Sequence, residues 1–206
     1  MKQFYENGKI EVGLDEVGRG CLFGPVCVGA VVWLNEDPEP NLEIRDSKKV
    51  SEKKRTILKD YIKDNSIAYS IQLVDNDYID KHNILNSTMT GMHKCLDDIT
   101  QSLSVDTILV DGNHFEFYSD KDDNYISHVC VVDGDNTYKS IAAASILAKT
   151  YRDEWINKLV DDNPELEKYD LRNNKGYGTK NHLDAIKQYG ITRWHRKSFG
   201  ICKGIK

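Results

Sequence analysis

Apolar residues recur along this chain with two periods. Short alternating or continuous apolar runs mark strands, and stripes at three- and four-residue spacing mark helices. Residues 11–15 and 26–34 read as strands separated by a Gly-rich turn at 18–24. Ser51 is placed to cap a helix running to about residue 65, with Ile57, Leu58, Tyr61 and Ile62 on one face. Residues 67–74 read as a strand and 75–81 as a short helix. Asn83 or Asn86 opens a longer helix to about residue 102, its buried stripe formed by Leu85, Met89, Met92, Leu96 and Ile99. Strands at 107–111 and 125–132 precede a helix over about 138–161. The patch Ala142-Ala143-Ala144-Ser145 on that helix is small enough to pack closely on a sheet. Pro164 closes the helical run, and a further helix lies near 180–189. Alternating strands and helices predict an α/β fold, a mixed sheet flanked by helices. Residues 1–206 read as one domain, with about 164–206 as a basic helical C-terminal appendage.

A hydrophobic content of 39% over 206 residues supports a sizeable core and argues against wholesale disorder. The longest apolar run, 21–34, is broken by Gly24, Pro25 and Gly29, so it reads as a buried strand and not a membrane span. The polar N-terminus carries no signal-peptide core, which predicts a cytoplasmic protein. Cysteines at 21, 27, 95, 130 and 202 form no Cys-x-x-Cys pair, a spacing that suits free thiols better than zinc or disulfides. Net charge is −5, yet it is unevenly spread. Residues 172–206 hold nine Lys or Arg against one acid, and 45–55 hold six against two. That asymmetry suits a basic surface for nucleic acid beside an acidic centre, although a solvated tail and helix face would give the same counts.

Three acidic islands end apolar runs. They are Asp15-Glu16, Asp111 in Val-Asp-Gly, and Asp135 in Val-Val-Asp-Gly-Asp. Crowded carboxylates are costly unless a cation joins them, and Mg²⁺ or Mn²⁺ takes oxygen ligands while leaving room for phosphate. Two such ions about 4 Å apart activate water and stabilise the departing oxygen of a phosphodiester. Neighbours in a regular strand point to opposite faces, so Asp15 and Glu16 share a site only if their strand ends or bulges there. Plainer roles stay open, a helix N-cap for Asp135 and a turn for Asp111-Gly112. Gly18-Arg19-Gly20 allows close backbone approach to a ligand such as a ribose 2′-hydroxyl, or is a plain tight turn.

Gly13-Leu14-Asp15-Glu16-Val17-Gly18-Arg19-Gly20, followed by Gly24-Pro25-Val26, resembles the opening signature of ribonuclease HII. Further stretches fit in order: Asp46-Ser47-Lys48-Lys49-Val50-Ser51, Asn83-Ile84-Leu85, Val110-Asp111-Gly112 and Gly134-Asp135 with Ser140–Ile146. Arg152-Asp153, Asn174-Lys175-Gly176-Tyr177-Gly178-Thr179, His182 and His195-Arg196-Lys197-Ser198-Phe199 complete a likeness covering essentially the whole chain. The resemblance implies a ribonuclease H-like fold and a metal-dependent endoribonuclease. Its substrates would be RNA–DNA hybrids and duplex DNA holding single ribonucleotides, incised on the 5′ side to leave 3′-hydroxyl and 5′-phosphate ends. It implies that Asp15, Glu16, Asp111 and Asp135 bind two Mg²⁺ or Mn²⁺ ions. It also implies that Gly18, Arg19 and Gly20 sense the 2′-hydroxyl and that Tyr177 packs on the sugar. Lys48, Lys49, Lys175, Arg193, Arg196 and Lys197 are the candidate phosphate contacts.

The family commonly has Pro-Leu-Ala where this chain has Cys21-Leu22-Phe23. Phe23-Gly24-Pro25 is similar to ribonuclease HIII, which usually has Thr and Asp in place of Arg19 and Cys21 and carries an added N-terminal domain for which residues 1–10 leave no room. A ribonuclease HIII-like enzyme preferring long hybrids is therefore one alternative, and a non-catalytic hybrid-binding protein another. A monomer acting on nucleic acid, away from membranes and without an obligate protein partner, is the expected state.

Overall fold

The computed structural model describes residues 1–33, 44, 47 and 50–205. Lys48 and Lys49, with Asp46 of the same motif, lie outside the described residues.

Six strands form one sheet in the order β3-β2-β1-β4-β6-β5. β1 (Glu11–Val17) pairs antiparallel with β2 (Val26–Val32), which pairs antiparallel with β3 (Ala68–Val74). On its other side β1 runs parallel to β4 (Thr107–Asp111), and β4 runs parallel to β6 (Tyr125–Val131). A two-residue strand, β5 (Tyr118–Ser119), hangs on β6. The mixed sheet matches the expected α/β class.

Helices cover both faces. Ser51 accepts the Lys54 N–H and starts α1 (Glu52–Asn65). Asp75 caps α2 (Asn76–His82), and Asn83 caps α3 (Ile84–Thr100). α3 lays Met89, Met92, Cys95, Leu96 and Ile99 on Val12, Leu14, Val28 and Ala30, the residues of β1 and β2 that face it. The opposite face receives α4 (Lys139–Asp162), whose Ala142, Ala143, Ala144 and Ile146 pack with Val31 and with Leu58 and Ile62 of α1.

The close seat of α4 has a steric cause. Gly13 and Gly29 point at it, and a methyl group on either would lie 2.3 Å from the Ser140 carbonyl carbon or 2.4 Å from the Ala144 oxygen. Glycine on the sheet and alanine on the helix bring the two backbones nearly into contact. The far half of α4 leaves the sheet. There Ile156 and Val160 join Leu166, Tyr169, Leu171 and Ile186 in a second core built from α5 (Leu171–Asn174), α6 (Lys180–Tyr189) and the final turns. Leu22 and Phe23, from the turn after β1, are buried in that same core.

Candidate active site

β1 and β4 pair as far as Leu14 and Val110 and then part. β1 stays regularly paired with β2 through Val17, opposite Cys27. The strand runs regularly through Asp15-Glu16 and ends at Val17, before the Gly18 turn. The opening is lateral, because the ladder on the β4 side stops while the ladder on the β2 side continues. Asp15 lies buried on the α4 face, where Ser145 hydrogen-bonds to it. Glu16 projects to the α3 face and lines a cleft of about 410 Å³ with Arg19, Met89, Asp111 and His114.

Asp111 ends β4, and its Oδ1 accepts the Gly134 N–H at 2.7 Å. Gly112 follows at φ +106°, so the Asp-Gly turn is real and aims Asp111 into the cleft. Asp135 sits in a buried 3-10 turn, Gly134–Asn136. It does not cap α4, whose first residue follows Tyr138 without a side-chain cap. Burial raises the Asp15 carboxyl well above its usual range, and the charges of Glu16 and Asp111 push it further. Burial also raises Glu16, against the pull of Arg19, whose guanidinium lies 3.2 Å from Oε1. Three carboxylates thus share one neighbourhood, and Asp135 adjoins it through the Gly134–Asp111 bond. Among the described residues no three Asp, Glu, His or Cys side chains are drawn together into a ready metal cage. The donor chemistry still fits a hard divalent ion: desolvated carboxylates that repel one another, with one arginine as local counter-charge.

The turn after β1 is held from below. Gly18 has φ +90°, and a side chain there would collide with Arg152. Gly20 faces open space. Leu22 N–H donates to Gly176 O at 2.8 Å, joining this turn to the one that carries Tyr177. Tyr177 is 40% exposed, with its hydroxyl beside the Cys21 thiol; burial of that end raises its pKa.

Two of the expected phosphate contacts are placed elsewhere. Arg196 is fully buried, donating to Gly24 O and Arg19 O at 2.9 Å. Lys175 is buried with Nζ on Asn157 Oδ1 at 2.9 Å. The Arg196 side chain has no exposed surface, whereas the Lys175 charge lies 3.7 Å from the exposed Glu52 carboxylate. Arg193 and Lys197 are exposed, Arg193 lying over the Trp194 ring.

Behind Tyr177 lies a pair of buried histidines. Thr192 N–H donates to His195 Nδ1 at 2.9 Å, so His195 carries its proton on Nε2, 3.2 Å from His182 Nε2. His182 Nδ1 in turn donates to Tyr177 O at 2.9 Å. Every link requires neutral rings. Burial, and then His182, lower His195 to about 3, while an unfolded histidine titrates near 6.5. Between those values the unfolded chain binds a proton that the folded chain refuses, so stability falls as pH drops below 6.5. The slope is about 1.4 kcal/mol per pH unit, or about 2 kcal/mol from pH 6.5 to 5 for this residue. Urea melts across that window should show a shallower acid loss in His195→Gln than in the unmodified protein; equal slopes would contradict the assignment.

A family model described as Ribonuclease HII matches residues 12–202. Ribonuclease HII of Christiangramia forsetii is 46% identical over 98% of this chain and 96% of its own length. That of Parabacteroides distasonis is 45% identical over 96% and 94%. Among solved structures, RNase HII of Archaeoglobus fulgidus, determined in complex with PCNA, superposes with a TM-score of 0.72 at 22% identity, covering 93% of this chain and 96% of that one. Bst-RNase HIII in complex with Mn²⁺ gives 0.62 at 19% identity, covering 87% and 70%. Among the described residues no helix is long and apolar enough to cross a membrane. The chain belongs to the ribonuclease HII family and is a ribonuclease H enzyme.

Proposed function

We propose that this enzyme hydrolyses the RNA strand of RNA–DNA hybrids and cuts on the 5′ side of single ribonucleotides in duplex DNA, leaving 3′-hydroxyl and 5′-phosphate ends. The observation that carries the reading is the lateral gap between β1 and β4. It sets the carboxylates of Glu16 and Asp111 in one open cleft, with Asp15 desolvated beside them. Asp15, Glu16, Asp111 and Asp135 are the residues to hold Mg²⁺ or Mn²⁺. When bound, such ions supply a nucleophilic hydroxide and neutralise charge on the departing oxygen. The Mn²⁺ complex of Bst-RNase HIII supports the choice of a divalent ion.

The protein's own share is positioning. Ser145 and the Glu16 N–H orient Asp15, and Gly134 N–H orients Asp111. The turn at Gly18, Arg19 and Gly20 presents backbone to the 2′-hydroxyl, which both donates and accepts. The exposed ring of Tyr177 packs on the sugar, and Arg193 and Lys197 meet backbone phosphates.

The test is a cleavage assay on an embedded ribonucleotide, a continuous hybrid and double-stranded RNA, each with and without Mg²⁺ or Mn²⁺. Metal-dependent cutting of the first two is expected, with no cutting once the embedded nucleotide lacks its 2′-hydroxyl. Indifference to that hydroxyl would overturn the role of the 18–20 turn. Cutting of long hybrids alone would favour the ribonuclease HIII-like alternative.

A further inference from the structure

Two arginines are fully buried under the substrate-facing turns, and neither has a carboxylate partner among the described residues. Arg152 comes from α4 and donates from Nε to Pro25 O, from Nη1 to Lys175 O and from Nη2 to Phe23 O, at 2.7–2.9 Å. Arg196 donates from Nε to Gly24 O and from Nη1 to Arg19 O. Its Nη2 is buried with no partner among the described residues. Burying an unpaired charge is costly, and burial lowers Arg196 to about 10. A well-packed apolar pair would serve a plain core better. What the guanidiniums do that apolar residues cannot is grip main-chain carbonyls: Arg152 holds them from both turns, and Arg196 holds the two ends of the turn after β1.

The grip has a direction. Five carbonyls, of Arg19, Phe23, Gly24, Pro25 and Lys175, are turned inward onto the two forks. With those oxygens held below, the N–H groups of Arg19 and Gly20 have no acceptor among the described residues and stay available to a ligand. Arg152 also fills the space that a Gly18 side chain would need, and it lies 3.4 Å from where a Gly176 side chain would begin. One side chain therefore underlies both the 18–20 turn and the turn that presents Tyr177.

We propose that Arg152 is a positioning residue that fastens these two turns into a single unit, with Arg196 bracing the first of them, and that the unit, not either turn alone, selects the ribonucleotide. The proposal rests on the reading that the two turns meet the sugar. Charge alone does not meet the requirement, because a lysine offers no fork to bridge two carbonyls.

The test compares the unmodified enzyme with Arg196→Lys and Arg152→Lys in Mg²⁺ or Mn²⁺. The readouts are KM for a duplex with one ribonucleotide and Ki of the same duplex made wholly of deoxynucleotides. In the unmodified enzyme Ki should exceed KM; equality would remove the reading and the proposal with it. In Arg152→Lys, loss of a charge-assisted bond between the turns should raise KM about tenfold towards an unchanged Ki, and Arg196→Lys should do so less. A variant that lost only folded molecules would lower Vmax and leave both constants alone, and that outcome overturns the proposal. A second measurement does not depend on any variant folding. Hydrogen exchange of the bonded amides of Cys21, Leu22, Lys175, Gly176 and Tyr177 in the unmodified enzyme should follow one common opening. Separate openings would show two independent turns and overturn the clamp.

Discussion

Asp111→Asn is expected to lower kcat/KM by at least about 10³-fold, about 4 kcal/mol of transition-state stabilisation, while leaving the melting temperature near that of the unmodified enzyme. The substitution is unusually clean. Asparagine keeps an oxygen to accept the Gly134 N–H, so the backbone bond between β4 and the 134–136 turn survives. What is lost is one negative charge facing the cleft, where Glu16 also lies. Removing that charge also relieves repulsion on Asp15, so folding stability should hold or rise slightly. Steady-state cleavage of an embedded ribonucleotide and a thermal melt on the same preparation decide the matter. Activity within threefold of the unmodified enzyme would remove Asp111 from the chemistry.

Gly29→Ala, like Gly13→Ala beside it, should be among the most damaging single methyl additions in the sheet. Its carbon would sit 2.4 Å from the Ala144 oxygen and 3.1 Å from the Ala144 carbonyl carbon, both main-chain atoms of α4 that cannot swing aside. Either β2 or the whole helix must move. Overpacking of side chains costs about 1–3 kcal/mol, and a clash with backbone belongs at or above the top of that range. For a chain of this length a loss of about 3 kcal/mol lowers the melting temperature by about 6–12 °C. Gly20→Ala is the control, since nothing lies within 4 Å of its added carbon; its stability should stay within about 0.5 kcal/mol. Equal melts for the two variants would show that α4 does not sit as closely as described.

Where local chemistry decides structure, the chain was readable. The helix at Lys180–Tyr189 starts at a Thr179 cap and ends at Gly190, and both signals lie in the sequence. The same holds for the caps at Ser51 and Asn83 and for the Ala-rich patch of α4. Reading failed where the partner is remote. The apolar run marks β1 only over 11–15, whereas the pairing of Glu16 and Val17 with Val28 and Cys27 carries it to Val17. β5 is two residues long, too short for any period to register. Arg196 read as a surface cation because arginine usually is one; its partners lie 172 and 177 residues away. Arg152 stood in a recognisable motif, yet nothing local says that its guanidinium is spent on carbonyls 23 to 129 residues away.

Helix α4 touches both ends of this machinery. Ser145 on it meets Asp15, and Arg152, seven residues on, meets the two turns. Seven residues are nearly two helical turns, so both side chains emerge on the same side about 10 Å apart. On the proposed reading the rod is a gauge, setting the spacing between the Asp15 carboxylate and the two turns. One residue added between them would rotate the second mark by about 100° and part the two turns from the carboxylates they are registered against.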